Sequence, residues 1–151
     1  MLRMPKKVLF ALEAVVDVAY NARPEPVQAK EITRRQGIPP RYLEQVMQSL
    51  VHAGVLKGVR GPRGGYTLAR ERRRITVGEV VRVVEAASGG SGGEDDDVTS
   101  DLGREVVRPL WHELRTEMMR RLDEITLEDL CRRARRIGVE SAADQNNDYV
   151  I

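Results

Sequence analysis

The chain has 151 residues, a net charge of only +2, and one each of cysteine, tryptophan and phenylalanine. That size suits one domain plus an added element for assembly, built on an aliphatic core, and a single thiol excludes an internal disulfide or a cysteine-only metal site. No apolar run is long enough to span a bilayer and the start has no signal-peptide pattern, so we expect a soluble, cytoplasmic protein with no membrane contact.

The first helix is predicted from near Pro5 to about Asn21, with Leu9, Leu12, Val16, Ala19 and Tyr20 as its buried stripe. Lys6 and Lys7 fall in its first turn, where cations oppose the helix dipole; they are either solubilising charges or phosphate contacts. Arg23-Pro24-Glu25-Pro26 cannot stay helical, because two prolines remove donors and restrict their neighbours. A second short helix, about Gln28–Gln36, ends at Gly37, and a third spans Pro39–Ala53. Helix, glycine turn, helix is a helix-turn-helix arrangement with the third helix as the reader.

In that reader, Leu43, Val46, Met47, Leu50 and Val51 make one apolar stripe. The opposite face carries Arg41, Glu44, Gln45, Gln48 and His52, side chains able to hydrogen-bond base edges. Gly54 closes the helix. Val55–Val59, a tip Arg60-Gly61-Pro62-Arg63-Gly64-Gly65, and Tyr66–Ala69 then read as a β-hairpin. A helix followed at once by such a hairpin outlines a winged helix. An amphipathic helix packed on a small sheet would explain the stripe, but not two arginines on a flexible tip.

The charge is unevenly placed in the same sense. Residues 1–80 carry 15 Lys and Arg against 7 Asp and Glu, and the remainder carries 10 against 16. A basic N-terminal half beside an acidic C-terminal half suits a polyanion-binding domain joined to a different module.

After the hairpin, Arg70–Arg74 is a basic patch, either a linker surface or a phosphate contact. Thr76-Val77-Gly78-Glu79 is a capping box, so a fourth helix runs from Val77 to about Ala87 and buries Val77, Val80, Val81 and Val84. Ser88–Asp101 is glycine, serine and like charge, which bury no apolar area, and is expected to be flexible. A long helix follows, with Pro109 in its first turn and Trp111, Leu114, Met118, Leu122 and Ile125 as a helix-packing seam. The seam is expected to meet its copy in a second chain, the alternative being its own domain. Thr126–Asp129 starts a last helix with Leu127, Leu130, Cys131 and Ala134 on one face, and the polar tail after Gly138 is expected to fray. The fold class is therefore mainly α with a small β-hairpin wing. Residues 1–87 form the winged helix-turn-helix region, 88–103 an acidic Gly/Ser loop, 104–138 the dimerisation and terminal helices, and 139–151 the tail.

Other chemistry is thin. The glycine-rich tip lacks the Gly-Lys-Ser/Thr ending of a phosphate loop and precedes a strand rather than a helix. Consecutive carboxylates such as Glu94–Asp97 rarely converge on one ion. His52 and His112 are lone surface histidines, and Cys131 is a buried structural thiol or, as the alternative, a redox sensor. No catalytic triad or carboxylate pair stands out, so neither an enzyme nor a metal or cofactor site is expected.

Gln36-Gly37-Ile38, Tyr42-Leu43-Glu44-Gln45, Gly54-Val55-Leu56, the wing Val59–Tyr66, Ile75–Val80 and Ile125-Thr126-Leu127 together resemble the Rrf2 family of bacterial winged-helix regulators, in order and spacing over nearly the whole chain. The resemblance implies a homodimer joined through the long helix, each unit taking half of a near-palindromic operator in double-stranded DNA. In IscR-like members the residues matching Arg41, Tyr42, Glu44 and Gln45 face the major groove, and those matching Arg60, Gly61 and Pro62 enter the adjacent minor groove. Gln48, Arg63, Lys6 and Lys7 complete the expected DNA-binding set. Cluster-binding members carry three cysteines before the long helix, commonly with a histidine shortly before its Trp; here that stretch has no cysteine, and Arg108 stands where the histidine would be. The expectation is a DNA-binding repressor without an iron–sulfur cluster. The alternatives are a protein-interaction module acting through a regulatory partner, or a redox sensor using Cys131.

Overall fold

The structure, a computed structural model, describes residues 3–89 and 100–143. Three helices, α1 (Lys6–Tyr20), α2 (Ala29–Gln36) and α3 (Pro40–His52), lead into an antiparallel hairpin of β1 (Leu56–Val59) and β2 (Gly65–Leu68). A 3₁₀ turn at Arg72–Arg74 connects to α4 (Val77–Ala87), and α5 (Arg108–Asp123) and α6 (Leu127–Arg136) complete the chain. Among the described residues no helix is long and apolar enough to cross a membrane.

α1 is the central post, packed by α2, α3, α4, α6 and β2. That crowding corrects its expected stripe. The buried residues are Val8, Ala11, Ala14, Val15, Val18, Ala19 and Tyr20, while Leu9 is exposed and Leu12 and Val16 are only half-buried. Several helices can approach one helix closely only over small side chains, so the alanines face inward and the bulkier leucines are displaced to the flank. In α3, Leu43, Val46, Met47 and Leu50 are buried as expected, but Val51 is exposed.

The caps behave as their chemistry demands. Thr76 Oγ1 accepts from the Glu79 amide at 3.1 Å, but the Glu79 carboxylate turns to Arg70, so only half of the expected box forms. At α6 the box is complete: the Asp129 amide donates to Thr126 Oγ1 at 3.1 Å, and the Thr126 amide to Asp129 Oδ2 at 2.9 Å.

Two boundaries differ from expectation. The expected acidic loop of residues 88–103 lies, at 90–99, outside the described residues, yet the chain is already helical at Asp101. A π-turn at Gly103–Val107 runs directly into α5, so Pro109, in the first turn of α5 as expected, has helical backbone already before it. Proline removes a donor and its ring crowds the preceding turn, and the wider π-turn accommodates both effects. The tail does not fray at once. Ser141 is buried and its hydroxyl donates to the Tyr20 carbonyl at 2.7 Å, the Ala142 amide donates to Asn21 Oδ1 at 2.9 Å, and the Tyr20 hydroxyl donates to the Val139 carbonyl. The last turn of α1 has carbonyls without helical partners, and Ser141 takes one of them.

The expected seam of α5 splits in two. Leu122 and Ile125 pack against the core beside Met119, and Arg82 grips Asp123 with two hydrogen bonds of 2.5 and 2.6 Å. Trp111, Leu114 and Met118 instead stand about half exposed, in line with the exposed Val107 and Leu110.

Candidate nucleic-acid interface

The reading helix is placed by its apolar side. With Leu43, Val46, Met47 and Leu50 turned into the core, Arg41, Tyr42, Glu44, Gln45 and Gln48 are all exposed on the opposite side. Tyr42 is braced against Phe10 of α1, with ring centroids 5.9 Å apart and planes inclined by 42°. Lys7, from the first turn of α1, borders the same shallow depression as Tyr42, Gln45, Gln48 and Ser49, which brings one of the two predicted α1 lysines beside the reader. A second depression joins α2, α3 and the wing through Lys30, Thr33, Arg34, Glu44 and Tyr66. Sequence reasoning did not single out Lys30 and Arg34; their signal was their position on the helix preceding the reader.

The wing is not a free arm. Its strands pair from Leu56 with Leu68 to Val59 with Gly65, and the Gly64 amide donates to the Gly61 carbonyl at 2.9 Å to close the tip. Gly61 has φ of +111°, a conformation that a side chain would strain. A Cβ on Gly65 would overlap the Val27 carbonyl, and this space lets Val27 exchange two backbone hydrogen bonds with Tyr66, at 2.8 and 2.9 Å. Arg60, Gly61, Pro62 and Arg63 are exposed at the end of this clamped hairpin.

Many of the arginines behind this face are tied into ion pairs. Arg23, Arg35, Arg70, Arg72, Arg73, Arg82 and Arg115 each hold a carboxylate. Lys6, Lys7, Arg41, Arg60 and Arg63 hold none among the described residues, and Glu44 forms no ion pair there either, although Lys30 and Arg34 border the same depression. Of the Arg70–Arg74 patch, Arg70 binds Glu79 of α4 and Arg72 binds Glu128 of α6, so these two knit the base of the wing to the helices behind it. An exposed surface of unpaired cations with Gln and Glu side chains between them can grip phosphates and present donors and acceptors to base edges.

The family model that matches residues 4–133 is Rrf2, described as an iron-dependent transcriptional regulator. The HTH-type transcriptional regulator IscR of Xenorhabdus nematophila is 33% identical over 153 residues, covering 96% of this chain and 88% of that one. Among solved structures, IscR of T. potens superposes with a TM-score of 0.73 at 33% identity and 93% coverage of both chains. CymR, the global cysteine regulator of B. subtilis, gives a TM-score of 0.68 at 31% identity, covering 87% of this chain and 97% of that one.

The donor set here does not fit an iron–sulfur cluster, which is held by several thiolates. The chain's single thiol, Cys131, is buried on the inner face of α6, and burial pushes its pKa up although Arg72 beside it works the other way. Both histidines are exposed and on different helices, His52 ending α3 and His112 on α5. Residues 88–101 supply only hydroxyl and carboxylate donors, which suit hard cations.

Proposed function

The chain belongs to the Rrf2 family of transcriptional regulators, and on that premise we propose that it acts as a homodimeric repressor that binds a near-palindromic operator without an iron–sulfur cluster. DNA binding itself follows from the family. The observation that carries the finer reading is the joint face of α3 and the wing, where every predicted contact residue is exposed and its cations are unpaired among the described residues.

In this reading α3 enters the major groove. Arg41 and Gln45 make paired hydrogen bonds to guanine and adenine edges, and Glu44 accepts from cytosine. The wing carries Arg60 into the neighbouring minor groove, whose narrow A·T-rich stretches concentrate negative potential. Two such units come from the exposed face of α5: Val107, Leu110, Trp111, Leu114 and Met118 recur at helical spacing and cover one another when a second copy packs against them. Repression follows from occupying the operator, in the cytoplasm where the DNA lies, and no catalytic step is involved.

The test is a single preparation, purified without air and then split. Sedimentation should give a dimer, the visible spectrum should show no cluster absorption, and the colourless protein should footprint a palindromic genomic fragment. Stoichiometric iron and sulfide with visible absorption, lost in Cys131→Ala, would contradict the cluster-free reading. A monomer with no footprint would contradict the dimeric one.

A further inference from the structure

The reading helix and the wing meet two different grooves, and something must fix the angle between them. α3 passes into β1 through Gly54, which leaves the tip of the hairpin several residues from its nearest covalent tether. The tip is held from the other side, by the segment that opens α2. Val27 bonds to Tyr66 through both backbone groups, at 2.8 and 2.9 Å, and the Gln28 side chain faces the Pro62 carbonyl at 3.5 Å.

That segment is itself tied down by charge. The Gln28 amide donates to Glu31 Oε2 at 2.9 Å, and the other oxygen of Glu31 takes Arg23 and lies 3.9 Å from Arg35. Arg35 sends Nε and a terminal nitrogen to the two oxygens of Asp17 at 2.9 and 2.8 Å. Asp17 also accepts from Gln36 Nε2 at 2.8 Å, and its side chain is wholly buried in α1. Gln36 is the last residue of α2, and Gly37, with φ of +68°, turns the chain into α3. Two sets of charge-assisted hydrogen bonds, one centred on Glu31 and one on Asp17, therefore run from the anchor of the wing to the turn that aims the reading helix, joined by the 3.9 Å ion pair between Glu31 and Arg35.

We propose that Glu31 and Arg35 are positioning residues for DNA recognition: they set the register between the minor-groove wing and the major-groove helix. This rests on the DNA-binding reading above. The leverage is geometric. Pro62 lies four residues from Tyr66 across the turn, at most roughly 13 Å along the chain, so a tilt of about 10° at the bridge moves the tip by up to about 2 Å. That shift is about a third of the width of a groove about 6 Å wide, enough to misplace Arg60 within it.

The experiment compares the wild-type dimer with Glu31→Ala, Glu31→Gln and the conservative Glu31→Asp on one operator duplex at matched occupancy. Minor-groove contact is read by hydroxyl-radical protection and major-groove contact by methylation protection of guanine N7. In Glu31→Ala the guanine protection should persist while protection under the wing falls at least threefold. Its log–log salt slope should shallow by roughly 2–4 units, since four wing arginines per dimer each release about 0.9 counterion. Arg60→Ala should then cost less than twofold in that background, and clearly less than it costs alone. Glu31→Gln, which keeps the shape and one acceptor, should lose the wing footprint partly, and Glu31→Asp should regain part of it. Parallel loss of both footprints with melting temperature, or an unchanged wing footprint in Glu31→Ala and Glu31→Gln, would overturn the proposal. A wild-type protein that protects neither groove would overturn the DNA reading itself.

Discussion

Asp17→Ala is the sharpest test of how the helix-turn-helix is held together. In the native fold this carboxylate is fully buried and accepts three hydrogen bonds of 2.8–2.9 Å, two from Arg35 and one from Gln36. Arg35 is correspondingly held in its charged form by the bond to Asp17, against some cost of burial. Truncation removes the acceptor and leaves a guanidinium and an amide facing an apolar cavity. Breaking a buried pair from one side costs about 3–5 kcal/mol. The Arg35 side chain is 22% exposed and can turn partly to water or to Glu31, which discounts the loss to about 2–4 kcal/mol. For a chain of this length that is roughly a 5–15 °C fall in melting temperature. Asp17→Asn, which keeps the size and an acceptor oxygen, should lose less than half as much. Differential scanning calorimetry of the three proteins decides it. A fall of under 2 °C for Asp17→Ala, or equal falls for Ala and Asn, would show that the network does not carry the load assigned to it.

Reading and positioning should separate by mutation: Glu44→Ala should relax base preference by about 1–3 kcal/mol at one pair per half-site, whereas Arg60→Ala should weaken all sites alike. Equal losses for both variants on matched and mismatched duplexes would remove Glu44 as a reader. Trp111→Asp places a charge in the centre of the exposed α5 face, so sedimentation should show monomers at concentrations where the wild type is dimeric, with the melting profile of the winged domain retained. Acid should destabilise the fold in a defined window. Burial alone would raise the Glu31 pKa, but bonds from the Gln28 amide and Arg23, with the nearby charge of Arg35, outweigh it and hold the group below its ordinary value of 4.5. Its contribution is thus complete above that value and lost as the pH falls through the depressed one, and Glu31→Gln should flatten this part of a urea-midpoint-against-pH curve.

What the sequence announced were the punctuated elements. Gly37, Gly54 and the Gly/Pro tip bound their elements in the fold as in the string, and Thr126 with Asp129 forms the cap its spacing implied. These signals are local, carried by one residue's backbone preference or one side chain's reach. Asp17 was silent because its partners lie 18 and 19 residues away, and within α1 it looks like a polar residue on a solvent face. The α1 stripe was misjudged for a related reason: which arc is buried depends on how many helices surround it, and periodicity reports only that an arc exists. The docked tail, too, depends on an unsatisfied carbonyl at Tyr20 that no pattern in Ser141 reveals. For the interface, exposure of Arg41, Glu44, Gln45 and Arg60 was legible from the apolar stripe and the hairpin, whereas the tie between wing and reader was not.

If α3 and the wing form one DNA-binding face, its free cations meet phosphates and binding must respond to salt. The most direct measurement is the salt dependence of operator affinity for the wild-type dimer beside Arg60→Ala/Arg63→Ala. If roughly 6–10 phosphates are contacted, the wild-type affinity should fall by about 10³–10⁵ between ~50 and ~200 mM salt, and the variant should show a shallower slope by about 2–4 units. A wild-type affinity indifferent to salt, or a variant with the same slope, would show that these cations do not meet phosphates.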